Sequence, residues 1–215
     1  LKEDELILLA HLLGDGCILP HQPFHYTSAD ETNLKIVQKA AYRLFKINSR
    51  LVKQENWFHL YLPSPYPLTR GRFHPITKWF RELGIELVHS GEKRIPEKVF
   101  NSTEEDIALF LKHLWSTDGN ISWKYLKDRK PSGAIYYSSS SELLARQVQH
   151  LLLRLGIQTT FLGREDKRGK YRKMSLIYVQ GAFSQLKFLE KVGSVGSRGE
   201  IIPKLITKLK EIEPN

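Results

Sequence analysis

Two Asp-Gly pairs lie at the ends of two apolar segments of this chain. Asp15 and Gly16 follow one segment, and Asp118 and Gly119 follow the other. Each aspartate falls at the C-terminal end of a predicted helix, where the helix dipole disfavours a negative charge by about 0.3–1 kcal/mol. Asp-Gly alone is an ordinary turn pair, and glycine after a helix is a common left-handed cap. The same pair at two matching helix ends indicates instead that a cation compensates both charges.

Two carboxylates that meet at one end of a helix pair suit a hard divalent cation. If the two apolar helices pack side by side, Asp15 and Asp118 come together and repel each other unless a positive charge neutralises them. Mg²⁺ prefers oxygen ligands and keeps coordination positions open for water and phosphate. Ala10 and Gly14 are small and four residues apart, which would let the helix backbones approach. The bulky His113, which matches Ala10 in the second helix, weakens that expectation.

The chain repeats itself at these pairs and at two further places. The offset between the Asp-Gly pairs is 103 residues, and that between the Ile-Pro pairs at 95–96 and 202–203 is 107. The segment YTSADE at 26–31 returns as YSSSSE at 137–142, an offset of 111. Three matches in the same order indicate two similar halves. The increase from 103 to 111 places eight additional residues near 124–132, in the second half.

Each half is predicted to fold as α-β-β-α-β-β-α, because apolar residues recur at helical spacing between segments of strand type. Ser102 and Glu105 form a capping-box pattern for the fourth helix. The fold class is therefore α+β, with a first half at 1–100 and a second half with a C-terminal tail at 101–215. The predicted helices are 4–13, 31–45, 75–83, 103–116, 142–155, 182–192 and a tail helix at 203–212. The predicted strands lie at 24–28, 50–55, 57–62, 134–139, 159–164 and 174–179.

Composition favours a globular protein with a polyanionic partner. The net charge is +10, and 41% of the residues are hydrophobic, which suffices for a packed core. Nucleic acid is the first candidate partner and an anionic membrane the second, although no basic amphipathic helix stands out. A merely solubilising charge is the third interpretation. With no apolar leader and no apolar run of about 18 residues, we expect an intracellular protein.

Several other kinds of chemistry lack their motifs. The sequence has no P-loop, no His-Glu-x-x-His and no dinucleotide fingerprint. The single Cys17 excludes an internal disulfide and a multi-cysteine zinc site. His21 and His25 are four apart, but Pro20 and Pro23 break any helix between them, which disfavours a zinc site there. The first residue is not methionine, so we expect a piece of a longer chain.

The two apolar segments resemble a known motif. LLAHLLGDG at 8–16 and LKHLWSTDG at 111–119 are similar to the two copies of the LAGLIDADG, or dodecapeptide, motif of homing endonucleases. The resemblance extends over both halves, and the stretch at 93–119 looks especially like the endonuclease domains embedded in inteins. His113 departs from the small residue usual in the second copy. The resemblance implies that the motif helices form the interface between pseudo-symmetric halves, whose antiparallel sheets form a saddle for DNA.

The resemblance also implies a site and a reaction. One basic residue per half is expected near the scissile phosphate, namely Lys93 in the first half and Arg198 in the second, with Lys191 as the alternative to Arg198. Metal ions held between carboxylates can supply the water nucleophile and stabilise phosphate charge. The expected enzyme is a monomeric endonuclease that hydrolyses double-stranded DNA, within a larger intein-containing chain. The expected Mg²⁺ ligands are Gly14, Asp15, Thr117 and Asp118.

Sequence recognition is predicted on the strands, since a two-stranded ribbon fits the major groove and its alternating side chains can face base edges. Unlike halves predict a long, asymmetric target. The candidates of the first half are Gln22, His25, Thr27, Lys53, Gln54, Asn56 and His59. Those of the second half are Ser122, Lys124, Ser138, Ser140, Arg164, Lys173 and Ser175. Phosphate contacts, which position without specifying sequence, are expected from Lys127, Arg129, Lys130, Lys167, Arg168, Lys170 and Arg172.

A protein of the same fold that binds DNA or RNA without cleaving it is the alternative function. A maturase, a regulator and an intein endonuclease domain that has lost its activity all belong to this class. The two aspartates argue against it, because a protein that only binds gains nothing from carboxylates placed beside phosphates.

Overall fold

The computed structural model describes residues 1–125, 127, 131–164 and 174–211. Within these residues, both halves show the α-β-β-α-β-β-α order that the sequence predicts. The elements of the first half are α1 (Glu3–Asp15), β1 (Gly16–Cys17), β2 (His25–Ser28), α2 (Glu31–Phe45), β3 (Arg50–Lys53), β4 (Phe58–Tyr61) and α3 (Pro75–Glu82). A 3₁₀ turn (Ser90–Glu92) and a short helix α4 (Glu97–Phe100), which the sequence did not predict, lead to the second half.

The second half repeats this order with longer strands. Its elements are α5 (Glu104–Asp118), β5 (Gly119–Lys124), β6 (Ser132–Ser139), α6 (Glu142–Arg154), β7 (Thr159–Arg164), β8 (Met174–Val179) and α7 (Gly181–Lys191). A 3₁₀ turn (Gly196–Gly199) and the tail helix α8 (Ile202–Lys210) follow. Both α1 and α5 run two residues further than predicted and end at the aspartates themselves. Among the described residues, no helix combines the length and the apolar character that crossing a bilayer requires.

Two antiparallel sheets of four strands have the same strand order. The first is β1-β2-β4-β3 and the second is β5-β6-β8-β7. β1 pairs with β2 at two positions, whereas β5 pairs with β6 at six, from Gly119↔Tyr137 to Lys124↔Ser132. The additional residues of the second half therefore lengthen this hairpin, where the repeat offset placed them. The α+β class with two similar halves is confirmed.

The N-terminal ends of α2, α3, α5 and α6 are capped by side chains that the sequence supplies at the first non-helical position. Asp30 caps α2 and Ser141 caps α6. The predicted capping box of α5 is displaced by one residue, because Thr103, not Ser102, accepts the bond from the Asp106 amide. The Ser102 hydroxyl instead donates to the Lys98 carbonyl and closes α4.

The main contact between the halves is that of α1 with α5. Both helices are buried along most of their length, with Trp115 among the largest fully buried side chains. A Cβ built on Gly14 would overlap the Thr117 side chain, so the close approach that the sequence predicted depends on this glycine. Gly16 and Gly119 follow the two helices but do not form left-handed caps, the ordinary alternative for a glycine at this position. Their φ angles are −84° and −82°, and each is glycine because a Cβ would overlap its own helix end.

A buried pair of histidines crosses the same interface. His11 Nε2 lies 3.1 Å from His113 Nδ1, and His11 Nδ1 lies 3.1 Å from the Tyr26 hydroxyl. Burial is the main cause that lowers the pKa of His11 well below its usual value and the pKa of His113 to about 4. Both rings are therefore neutral near pH 7, and their hydrogen bonds offset the cost of burying polar groups. The bulky His113 fits between the helices because His11 pairs with it.

The helix contact yields a first prediction. Gly14→Ala should lower the free energy of unfolding by about 1–3 kcal/mol, the usual cost of overpacking a core, because the new methyl group meets Thr117. Denaturant unfolding measures this loss. Thr117→Ala removes two of the three overlapping atoms, so Gly14→Ala should cost less in that background. Strictly additive effects of the two substitutions would contradict a direct contact.

Candidate metal centre and nucleic-acid interface

One cleft of about 840 Å³ contains both aspartates. Asp15 and Asp118 are the last residues of α1 and α5, and each side chain is partly exposed to the cleft. Residues 27–32 of the first half form one wall of the cleft, and Ser197 and Arg198 of the second half line it as well. The close approach of the two helices thus brings two carboxylates, one from each half, to a shared opening.

The two carboxylates destabilise each other's ionised form. Burial raises the pKa of Asp15 to about 7, with repulsion from Asp118 as the second cause. Burial also raises the pKa of Asp118, and Lys93 and Arg198 oppose this rise. The two nearby cations therefore offset only part of the cost of holding both negative charges in the cleft. A further positive charge between the carboxylates would stabilise the ionised pair.

Lys93 places a fixed positive charge near the two carboxylates. Its ammonium group donates to the carbonyl oxygens of Leu12, Gly14 and Gly16, at 3.1, 3.0 and 2.8 Å. All three N–H bonds of the ammonium are thereby occupied, and they cap the C-terminal end of α1. The side chain is buried, which lowers the pKa of Lys93 to about 8 against the attraction of Asp118 and Asp15. Sequence reasoning placed Lys93 near the site but did not foresee its role as a helix cap.

Arg198 is the basic residue that approaches the site from the second half. Its guanidinium donates to the Ser116 carbonyl near the end of α5, and its charge acts on both Asp15 and Asp118. The alternative that the sequence left open, Lys191, pairs instead with Glu104 at 3.2 Å, and both side chains are exposed. The geometry therefore favours Arg198 over Lys191.

The residues at the cleft fit a magnesium ion. Two carboxylates are one common form of protein contribution to Mg²⁺, whose remaining ligands are waters and phosphate oxygens. Among the described residues, no cluster of three or more histidine, cysteine, aspartate or glutamate side chains could hold a metal. The Thr117 hydroxyl donates to the Leu114 carbonyl and packs against Gly14, which leaves the backbone oxygen of Thr117 as the expected ligand. The Gly14 carbonyl already accepts a bond from Lys93.

The open face of the first sheet carries several of the predicted DNA contacts. His25 and Thr27 of β2 and His59 of β4 lie on the face opposite the buried Tyr26 and Leu60. Gln22 is exposed in the β1–β2 loop, and Gln54 and Asn56 lie in the β3–β4 turn. Lys53 is exposed, but it pairs with Phe58 of β4, so its side chain lies on the face opposite that of His59. Sequence analysis did not identify Arg50 and Tyr61 as contacts. The guanidinium carbon of Arg50 lies 4.9 Å from the centre of the Tyr61 ring on the open face.

The open face of the second sheet is longer. Ser122, Lys124 and Ser138 lie on it, in register with Ala134, Ser132 and Leu176, and Ser140 follows the end of β6. The prediction of Ser175 as a DNA contact was wrong, because Ser175 is buried and pairs with Ser139 on the core face. Tyr136 and Tyr178 stack across the open face with ring centres 5.0 Å apart and were missed.

The structure describes only part of the two basic hairpin tips. Lys127 is exposed. The other predicted contacts there, which lie outside the described residues, are Arg129, Lys130, Lys167, Arg168, Lys170, Arg172 and Lys173. The side chain of Arg164 is also outside the description.

Comparisons of sequence point to one kind of domain. Residues 105–193 match the family model of the LAGLIDADG-like domain. A replicative DNA helicase DnaB from Rhodothermus marinus is 43% identical over 203 residues, which is 92% of this chain and 21% of that protein. The DnaB of Synechocystis is 38% identical over 197 residues, 91% of this chain and 22% of that protein. The chain therefore spans about a fifth of the length of these curated relatives.

Comparisons of structure point to one fold. The homing endonuclease I-DmoI in complex with DNA and Ca has a TM-score of 0.61 and 15% identity, over 94% of this chain and 96% of that one. Full-length DUF199/WhiA from Thermotoga maritima has a TM-score of 0.55 and 12% identity, over 100% of this chain and 63% of that one. The chain thus has the fold of LAGLIDADG homing endonucleases, with two similar halves, and its residues 105–193 match the family model of their domain.

Proposed function

We propose that this chain is a site-specific DNA endonuclease of the homing endonuclease type, which uses divalent metal to cut both strands. The observation that carries the proposal is the meeting of Asp15 and Asp118 in one cleft, with Lys93 and Arg198 beside them. A fold that only binds DNA would not need two carboxylates where phosphates pass. Mg²⁺ is the proposed cofactor; structures of the similar I-DmoI are described with Mn, Ca or Mg.

The proposed mechanism assigns each side chain one task. Asp15 and Asp118 would hold the metal through their carboxylates, and the carbonyl oxygens of Thr117 and of Gly14, which also accepts from Lys93, would be the further ligands. When bound, divalent metal activates water and stabilises charge on the phosphate. Lys93 contributes a positive charge from a fixed position, since its donors are already used. Arg198 lies partly exposed in the cleft and stabilises the negative charge that develops on the phosphate.

DNA is proposed to lie along the open faces of the two sheets. A net charge of +10 favours a polyanion, and polar or aromatic side chains line both faces. The faces differ in length and in side chains, so the target should be asymmetric. We propose that one monomer, divided at 1–100 and 101–215, covers the whole target.

The comparisons also support a host context for the chain. The DnaB-named relatives match over about a fifth of their length, as an endonuclease domain inserted in a helicase chain would. We therefore propose that this chain is the endonuclease part of an intein-containing protein. A binder without cleavage is the second candidate, favoured by the net charge of +10, which serves binding of a polyanion with or without cleavage.

Cleavage of a randomised duplex library with Mg²⁺ distinguishes these functions. Wild type should yield double-strand breaks at one selected sequence. Asp15→Asn and Asp118→Asn should each abolish the breaks, because the amides cannot hold the metal as carboxylates do, while retardation of the selected duplex in a gel persists. His113→Gln, on the same helix interface but outside the cleft, serves as a folding control that keeps cleavage. Retardation of DNA by wild type with no cleaved product would favour the binder.

Proton competition yields a second test of the metal site. Because the pKa of Asp15 is raised to about 7, Asp15 binds more protons in the metal-free folded state than in the unfolded state between about pH 4 and 7, so its own contribution to stability falls as pH rises through this range. Buried His11 and His113, whose pKa values are lowered, contribute in the opposite direction, so the fall is measured as the difference in Tm between wild type and Asp15→Asn. Mg²⁺ requires the ionised carboxylate, so the rise in Tm that Mg²⁺ produces should grow from pH 6 to pH 8. Differential scanning calorimetry measures both trends. An equal rise in Tm at the two pH values, or an unchanged response in Asp15→Asn, would refute this assignment.

A further inference from the structure

The N-caps of α2 and α6 are equivalent residues of the two halves. Asp30 and Ser141 are 111 residues apart, the offset of the repeat around them. Asp30 accepts bonds from the Thr32 and Asn33 amides, at 2.8 and 3.3 Å. Ser141 accepts a bond from the Leu144 amide at 3.1 Å. Each residue therefore satisfies the first turn of its own helix, which is the ordinary role of a cap.

Each cap also makes a second bond, to the backbone beside one of the two cations. The other carboxylate oxygen of Asp30 accepts from the Ser197 amide at 2.7 Å. The packing is tight, since a Cβ on the preceding Gly196 would overlap this carboxylate. The Ser141 hydroxyl donates to the Lys93 carbonyl at 2.7 Å, in a buried contact. One cap thus holds the residue before Arg198, and the other holds Lys93 itself.

These second bonds cross from one half to the other. Arg198 belongs to the second half and reaches the end of α5 through Ser116, but its backbone neighbour is held by the first half's Asp30. Lys93 belongs to the first half and caps α1, but its own backbone is held by Ser141 of the second half. Each cation is therefore fixed at two points, one in each half.

Further contacts reinforce both anchors. Gln147 of α6 accepts from the Ile95 amide at 2.7 Å and donates to the Ile95 carbonyl at 3.1 Å, so α6 holds the Lys93 segment in two places. Burial alone would raise the pKa of Asp30, but hydrogen bonds from Ser197, Asn33 and Thr32 outweigh it and lower that pKa. The carboxylate is therefore charged at neutral pH, and its bonds to these amides are charge-assisted.

We propose that Asp30 and Ser141 are reciprocal positioning residues of the nuclease centre. Asp30 of the first half sets the position of Arg198, which contacts α5 of the second half. Ser141 of the second half sets the position of Lys93, which caps α1 of the first half. The inference rests on the proposed nuclease function. Because the two cations reach different motif helices, loss of one anchor should impair the cutting of one strand more than that of the other. Displacements of about 1 Å at such sites can cost roughly 10²-fold in rate.

Asp30→Ser is the sharpest variant, since the chain itself uses serine as the equivalent cap at Ser141. The substitution keeps a cap for α2 and removes the oxygen that accepts from Ser197. On the selected duplex, labelled on each strand in turn, Asp30→Ser should slow one strand roughly 10-fold or more. It should be the same strand that Arg198→Ala slows, with Tm and the Kd for the duplex near wild type. Ser141→Ala should slow the opposite strand.

Hydrogen exchange supplies a readout that does not depend on cleavage. Asp30→Ser should speed amide exchange in residues 194–200 and leave 90–96 unchanged, and Ser141→Ala should do the reverse. If the wild type cuts no duplex but this exchange pattern appears, the anchoring contacts of Asp30 and Ser141 are confirmed and the proposed nuclease function is wrong. Equal slowing of both strands, wild-type rates in Asp30→Ser, or an exchange change in both segments would overturn the positioning roles.

Discussion

The close contact of α1 with α5 is the constraint on which the rest of this structure depends. Gly14 has no side chain because Thr117 occupies that space, and the neutral pair of His11 and His113 fills the interface behind them. This approach brings two helix C-terminal ends, and the aspartate on each, into one opening. Two negative charges are thereby placed where helix dipoles and burial both disfavour them, which is an energetic cost that a binding partner with positive charge removes.

The surrounding residues control that cost without eliminating it. Lys93 satisfies the carbonyls at the end of α1 and places a cation under the carboxylates, while Arg198 does the corresponding work at the end of α5. Both are held by caps from opposite halves, so the site forms only when the halves are assembled. The two sheets have the same strand order, and their open faces are the proposed recognition surfaces for an asymmetric duplex.

Much of this could be predicted from sequence, because repeats and helix ends leave local signals. The element order, the fold class and the approach of the two helices all follow from such patterns. The conformations of Gly16 and Gly119 could not be predicted, since a helix cap and a tight helix exit both call for glycine. Ser175 was misplaced because strand alternation does not reveal which face is covered. Asp30 and Ser141 had a signal in the repeated segment, but their second bonds are long-range contacts that spacing does not encode.

Anomalous diffraction from crystals of the protein with its selected duplex and Mn²⁺ tests the central claim most directly. We expect a peak within about 2.0–2.6 Å of a carboxylate oxygen from both Asp15 and Asp118, next to a phosphate. A metal bound elsewhere, with the two carboxylates contacting only protein or water, would contradict it.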